Sequence, residues 1–235
     1  MKTTPFIESA PIKVVPIKAG VGHCYLVIHG AGFFLVDTGS PGLTHRIVKS
    51  ITSRGLSLSD LQFIFLTHTH YDHAGNACAL QKASGAPLVV HESEADFLQN
   101  GWHDIPSGTN PLFRLISAGG RRLGSSHAQF EPAQADVVFG SGLDLTSMGA
   151  PARIVHSPGH TLGSSSLVIG RVLFGGDSIF NVGGMIWPPF ANDEAGLLRT
   201  WRLFGQMDLE YLYPAHGKRI GKEVFDRALS KRLES

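Results

Sequence analysis

The feature that most restricts this chain is a run of ligand-type side chains, His68-x-His70-x-Asp72-His73, placed directly after the apolar stretch Phe63-Ile64-Phe65-Leu66. An uninterrupted apolar run reads as a strand buried on both faces, because a strand with one wet face alternates apolar and polar positions. A rigid strand can aim the loop that follows it. Imidazole and carboxylate together, with no thiolate among them, suit an open site for zinc, manganese or iron(II) rather than a closed Cys-rich structural site.

Three later pieces share this build: an apolar strand candidate, then a glycine-bearing turn with one ligand-type residue. They are Ser157-Pro158-Gly159-His160-Thr161, Gly175-Gly176-Asp177-Ser178 and Pro214-Ala215-His216-Gly217. Earlier, Asp37-Thr38-Gly39 ends a strand candidate over 33–36. Each piece is weak evidence alone, but their order behind the histidine run makes a specific set.

Further strands are predicted at 12–17, 23–28, 87–90, 136–139, 153–156, 165–169, 172–175 and 211–213. The pair 23–28 and 33–36 reads as a hairpin about His29-Gly30-Ala31-Gly32. A helix is predicted with Ser40 as N-cap, Pro41 at its first position and Leu43, Ile47, Val48 and Ile51 on one face, closing at Gly55. Others are expected at 74–84, 94–99, 194–207 and 222–233. Strands grouped in hairpins with helices before and after point to an α+β fold, two sheets facing each other with helices outside. At 235 residues and 43% hydrophobic content, the chain suits one domain over 1–235. The stretch 92–134, rich in Gly, Pro and Ser, reads as an inserted, partly helical lid.

Composition narrows the function classes. Net charge is +1 and the basic residues are dispersed, with Arg121-Arg122 and Lys231-Arg232 the tightest pairs, so nucleic acid is not an expected partner. No stretch reaches the 18 apolar residues of a membrane span. The N-terminal MKTTPFIESAPIK lacks the apolar core of a secretory signal, which makes cytoplasmic location the expectation. Cys24 and Cys78 form no disulfide framework and read as buried small hydrophobes. A small-molecule substrate is the expected partner, and self-association is left open. Of the 12 histidines, His29, His45 and His91 are expected on surface turns or helix ends and His156 within a strand. His23 is expected to begin a strand that approaches the site, and His103 and His127 fall in the lid.

Taken in order, Asp37, the His68–His73 run, His160, Asp177 and His216 resemble the five ordered motifs of the metallo-β-lactamase superfamily, over a span from about Val14 to Gly217. The segments 158–166 and 173–178 are similar to its glyoxalase II-like and lactonase-like hydrolases. The resemblance implies a four-layer αβ/βα sandwich with two metal ions, zinc first and manganese or iron(II) as alternatives. It implies one ion on His68, His70 and His160, a second on Asp72, His73 and His216, and Asp177 bridging both with a shared hydroxide. Asp37 would orient histidine ligands from behind. Asp177 and Asp72 are then the catalytic carboxylates, with Asp72 able to shuttle a proton to the leaving group. Such a centre supplies hydroxide at neutral pH without a Ser or Cys nucleophile.

Departures from individual branches narrow the substrate. The zinc β-lactamases carry a cysteine where this chain has Asp177, which argues against antibiotic hydrolysis. Glyoxalase II enzymes carry basic residues after the bridging Asp, and here Ser178-Ile179-Phe180-Asn181-Val182-Gly183-Gly184 contains none. Acyl-homoserine lactonases have a tyrosine where this chain has Phe180. The expectation is a hydrolase for an ester, thioester or lactone of a small molecule, with a mononuclear-iron, persulfide dioxygenase-like oxidoreductase as the alternative. Candidate pocket residues are Tyr71, Phe180, Trp187, and Arg121 or Arg122 for an anionic substrate group.

Overall fold

The computed structural model describes residues 12–123 and 128–234. One six-stranded sheet runs in the order β1 (Lys13–Lys18), β2 (His23–His29), β3 (Gly32–Val36), β4 (Leu61–Phe65), β5 (Leu88–His91) and β6 (Val137–Phe139). The second is built from β7 (Gly142–Asp144), β8 (Ala152–His156), β9 (Ser165–Ile169), β10 (Val172–Asn181), β11 (Tyr211–Gly217) and β12 (Ile220–Gly221), in the order β12-β11-β10-β9-β8-β7. The helices are α1 (Thr44–Thr52), α2 (Tyr71–Ala74), α3 (Ala77–Ser84), α4 (Glu92–Asn100), α5 (Pro111–Leu123), α6 (Glu194–Gln206) and α7 (Lys222–Leu233).

The uninterrupted apolar runs have two destinations, because successive side chains on a strand point to opposite faces. In β3, Phe33 and Leu35 join one core with Ile47 and Ile51 of α1 and Leu80 of α3, while Phe34 and Val36 join a second. In β4, Ile64 enters the first core and Phe63 and Phe65 the second. The second core lies between the sheets, where Ile154, Leu167, Phe174 and Tyr213 come from the facing sheet. A third core packs Leu173 and Leu212 against Trp201 and Phe204 of α6 and Phe225 of α7. Helices, sheet, sheet, helices: the fold is α+β, a four-layer αβ/βα sandwich, as the chain's patterning and family resemblance predict.

Several local expectations differ. Ser40-Pro41 does not open α1. Gly39 and Gly42 have φ of 70° and 79° and turn the chain there, so the helix starts at Thr44. Its entry is held from a distance: Asn76 Oδ1 accepts from the Leu43 N–H at 2.9 Å and the Thr44 hydroxyl at 3.1 Å. Within the stretch 92–134, Leu98 of α4, Phe130 and Ala133 sit in the first core, while Ile105, Pro106 and Phe113 approach the site. There, α5 went unread, although Asn110 Oδ1 caps it by accepting from the Phe113 N–H at 3.0 Å and Pro111 occupies its first position. His29 is buried, not on a surface turn, and faces Gln62 Oε1 across 2.9 Å. Cys24 and Cys78 are both buried. His127 and the N-terminal 1–11 lie outside the described residues. Among those residues, no helix is long and apolar enough to cross a membrane.

Candidate metal centre

The ligand-type residues meet at one edge of the sandwich. His68 and His70 follow β4, His73 lies in α2, and His160 lies in the loop between β8 and β9. Asp177 and His216 lie within strands, not in turns beyond them, because β10 and β11 continue as a parallel pair past an irregular register between Phe174 and Phe180. Such bulges re-aim side chains.

Two groups of donor atoms result. His68 Nε2 and His160 Nε2 lie 2.9 and 3.0 Å from His70 Nδ1. His216 Nε2 lies 3.4 Å from Asp72 Oδ2, and Asp72, His73 and His216 form the second group. Asp177 stands between: its Oδ1 is 3.3 Å from both His73 Nε2 and His216 Nε2, and its Oδ2 is 3.5 Å from His160 Nε2.

The outer nitrogens fix which inner nitrogens carry lone pairs. A carbonyl can only accept, so His70 donates from Nε2 to Asp104 O (3.0 Å) and His160 from Nδ1 to Phe190 O (2.9 Å). His73 Nδ1 lies 2.9 Å from Asp37 Oδ2. The Thr67 hydroxyl donates to Asp37, so at 3.2 Å it accepts from His68 Nδ1. The inner nitrogens of His68, His70 and His160 therefore present lone pairs to the centre, whereas the Asp177, Asp37 and Asp72 carboxylates outweigh burial at His73 and raise it well above the ordinary imidazole value. Burial, with neighbouring histidines, pushes the imidazolium forms of His68 and His70 down, His70 to about 3, and burial likewise lowers His160. At His216 burial acts the same way, but the Asp177 and Asp72 carboxylates outweigh it and raise it to about 10. Burial pushes the Asp177 carboxyl up, and His216, His73 and His160 outweigh it, holding Asp177 well below the usual carboxylate range.

Asp37 is the one non-glycine among the described residues with positive φ, at 60°. This left-handed conformation is uncommon for residues with a Cβ. It lets the buried carboxylate also accept from the Thr67 N–H at 2.8 Å. One residue escaped the sequence reading. Glu94 in α4 is 1% exposed and accepts from the Thr69 N–H (2.9 Å) and hydroxyl (2.7 Å), and from the Thr161 hydroxyl (2.7 Å). It braces both histidine-bearing loops from behind. His103 packs edge-on against His70, with ring centroids 4.5 Å apart, and stacks on Phe97 at 3.9 Å.

A cavity of about 540 Å³ opens over the centre, and Tyr71, Asp72, Phe180 and His103 line it. Trp187 does not. It packs on Trp201 at 4.9 Å with the Arg232 guanidinium over its ring, because the chain turns it to the far side of the loop whose Pro188, Pro189 and Phe190 face the cavity. Arg121 and Arg122 are exposed and outside the described lining. Arg121 points back to donate to Ile105 O at 3.1 Å.

The family model described as the metallo-beta-lactamase superfamily matches residues 17–216. The chain belongs to the metallo-β-lactamase superfamily. It is 26% identical over 208 residues to a probable metallo-hydrolase of Methanocaldococcus jannaschii, covering 87% of this chain and 91% of that protein. It is 26% identical over 153 residues to a hydroxyacylglutathione hydrolase of Shewanella pealeana, covering 65% of this chain and 44% of that protein, so the chain spans under half of that relative's length. Among solved structures, a metallo-β-lactamase family protein from Thermus thermophilus superposes with a TM-score of 0.68 at 18% identity, covering 95% of this chain and 79% of that one. At that identity the likeness shows the fold. Membership places this chain among metal-binding hydrolases.

Proposed function

We propose that the chain is a binuclear metal-dependent hydrolase cleaving an ester, thioester or lactone of a small molecule, with Asp177 shared between two cations. One observation carries this reading. Three neutral imidazoles aim lone pairs at one another from 2.9 to 3.0 Å, which is repulsive unless a cation lies among them. Next to them, His73 Nε2 and Asp177 Oδ1 lie 3.3 Å apart with neither in a well-aligned hydrogen bond, and poorly satisfied buried polar atoms are costly. Donors of imidazole and carboxylate fit zinc first, with manganese or iron(II) as alternatives. His68, His70 and His160 would hold one ion, and Asp72, His73 and His216 the other.

Bound there, divalent cations supply Lewis acidity, bringing the pKa of a water to near ~7 and polarising a carbonyl oxygen. The chain's own residues do the rest. Asp37, Thr67 and the carbonyls of Asp104 and Phe190 hold the imidazoles in one tautomer and orientation. Asp72, on the cavity floor and held ionised by His73 and His216, would take up the proton released by the attacking water and pass it to a departing oxygen or sulfur. Cys24 and Cys78 are buried in the first core and supply no nucleophile. The dispersed basic residues favour a small-molecule substrate over nucleic acid, and the absence of a disulfide framework fits a cytoplasmic enzyme.

The test is metal analysis of the zinc- and manganese-loaded protein with rates on esters, thioesters, lactones and phosphodiesters. Two ions per chain and turnover of one carbonyl class are expected. Asp177→Asn should lower that rate at least ~100-fold and reduce bound metal. One iron per chain with oxygen uptake at an electrode would replace this reading with the dioxygenase-like alternative.

A further inference from the structure

The polar lining of the cavity above the centre is gathered at its floor, where His70, Asp72, His160, Asp177 and His216 meet it with Tyr71 and His103 beside them. The other walls are apolar. Ile105, Pro106 and Phe113 face it from the segment before and within α5, and Phe180, Pro189 and Phe190 from the second half of the chain. The walls are tied together by backbone. Gly108 bridges Phe190, the Thr109 N–H donates to Pro189 O at 2.9 Å, and the Ala191 N–H donates to Ser107 O at 2.8 Å. The Phe113 and Phe190 rings meet edge to face at 5.3 Å. The same strap reaches the floor, since Phe190 O accepts from His160.

Charge complementarity is absent from those walls. No Lys or Arg is among the described lining residues. The basic side chains of the flanking segments, Arg114, Arg121, Arg122 and Lys218, are all exposed, and Arg114 is paired with Glu194 at 3.4 Å. A carboxylate extending between these walls would lose water and meet no Lys or Arg among the described lining residues, and burying an unpaired charge is expensive.

We propose that the part of the substrate extending from the reacting carbonyl into this chamber is uncharged and apolar, an aryl or alkyl group. The preferred substrates are then neutral esters or thioesters, not thioesters of an anionic thiol such as glutathione. This rests on the hydrolase reading for the reaction, while the shape and polarity of the chamber stand independently of it.

Two measurements on the full-length, zinc-loaded protein separate the two claims. The first is turnover of S-benzyl thioacetate against S-acetylglutathione, which share an acyl group, and of p-nitrophenyl acetate, butanoate and hexanoate. S-benzyl thioacetate should show at least ~10-fold higher kcat/KM. The ester series should rise with length by up to about fourfold per methylene, the ~0.8 kcal/mol of one buried CH₂. The second is calorimetric binding of unreactive probes, N-benzylacetamide against S-methylglutathione. N-benzylacetamide should bind at least ~10-fold more tightly, and Phe113→Arg should reduce or reverse that preference. Binding preference without turnover of any ester would sink the hydrolase reading and leave the apolar chamber standing. Equal or tighter binding of S-methylglutathione, no detectable binding of N-benzylacetamide at millimolar concentration, or a preference unchanged in Phe113→Arg would overturn the proposal.

Discussion

Four imidazoles of the candidate centre, those of His68, His70, His73 and His160, are held by groups outside it. Thr67 and Asp37 hold His68 and His73, and Glu94 holds the backbone between His68 and His70 and the hydroxyl beside His160. Glu94 is the most consequential of these for stability. Burial pushes its carboxyl up, but His103 and the donors Thr161 and Thr69 outweigh that and hold it at about 2, against an ordinary value of 4.5. A carboxyl depressed on folding contributes stability that is fully present above the unfolded value and is lost as pH falls through the folded one. Glu94→Gln should therefore cost about 1–3 kcal/mol at pH 7. The gap between wild type and variant should narrow as pH drops from about 4.5 towards about 2. Urea unfolding in chelator at pH 7 and pH 3.5 measures this, and a pH-independent gap would deny the ionised Glu94 its role. The ligand residues were legible because four stand in one run behind an apolar strand and the other three neighbour a glycine. Glu94 was not, since its partners Thr69 and Thr161 lie 25 and 67 positions away and a lone acid in a first helical turn ordinarily serves the helix dipole.

Among elements, β10 is the one whose irregularity serves the site. Gly176 has φ of 51°, and a Cβ there would lie 2.5 Å from Thr67 Oγ1 and 2.7 Å from Thr67 Cβ. The bulge that carries Asp177 thus presses against the hydroxyl that orients His68, coupling the two sheets at the centre. Gly176→Ala should lower metal affinity at least ~10-fold while far-UV circular dichroism stays native. Metal retained per chain after dialysis reads the effect. Gly183→Ala is the control, because φ is 61° there but nothing lies within 4 Å of the added Cβ. It should cost only ~1 kcal/mol and leave metal binding unchanged. The sequence shows Gly175-Gly176 as a turn, because two glycines mark a turn as readily as a bulge. Only pairing with β11 on one side makes it a strand that bends. The missed α5 has the same origin: Leu115 and Ile116 are exposed, so its apolar residues do not trace one buried face.

At the scale of the molecule, the layer between the two sheets carries the fold's sensitivity. Phe63 is fully buried there and stacks on Phe34, centroids 4.6 Å apart and rings 15° from parallel. Phe63→Ala should cost about 3–5 kcal/mol in urea unfolding with little change in m. Leu115→Ala on exposed α5 should stay within about 0.5 kcal/mol. Comparable losses in both would mean the inter-sheet layer is not the dominant core. The four layers follow from strands apolar on both faces flanked by helices apolar on one, an arithmetic of periodicity that a sequence carries openly. The order of strands within each sheet is not carried that way, since it depends on pairings such as β5 with β6, separated by the whole 92–136 segment.

Donor chemistry, the residues offering it and the layered class were therefore determined locally, by side-chain type and by the two- and three-to-four-residue periods of burial. Which nitrogen of each histidine faces inward, where Glu94 braces the loops, and the apolar walls of the chamber arose only when distant segments packed together. The reason is physical. A side chain's chemistry and its strand or helix period are properties of short stretches, whereas a tautomer or a cavity wall is set by neighbours that the chain brings from elsewhere.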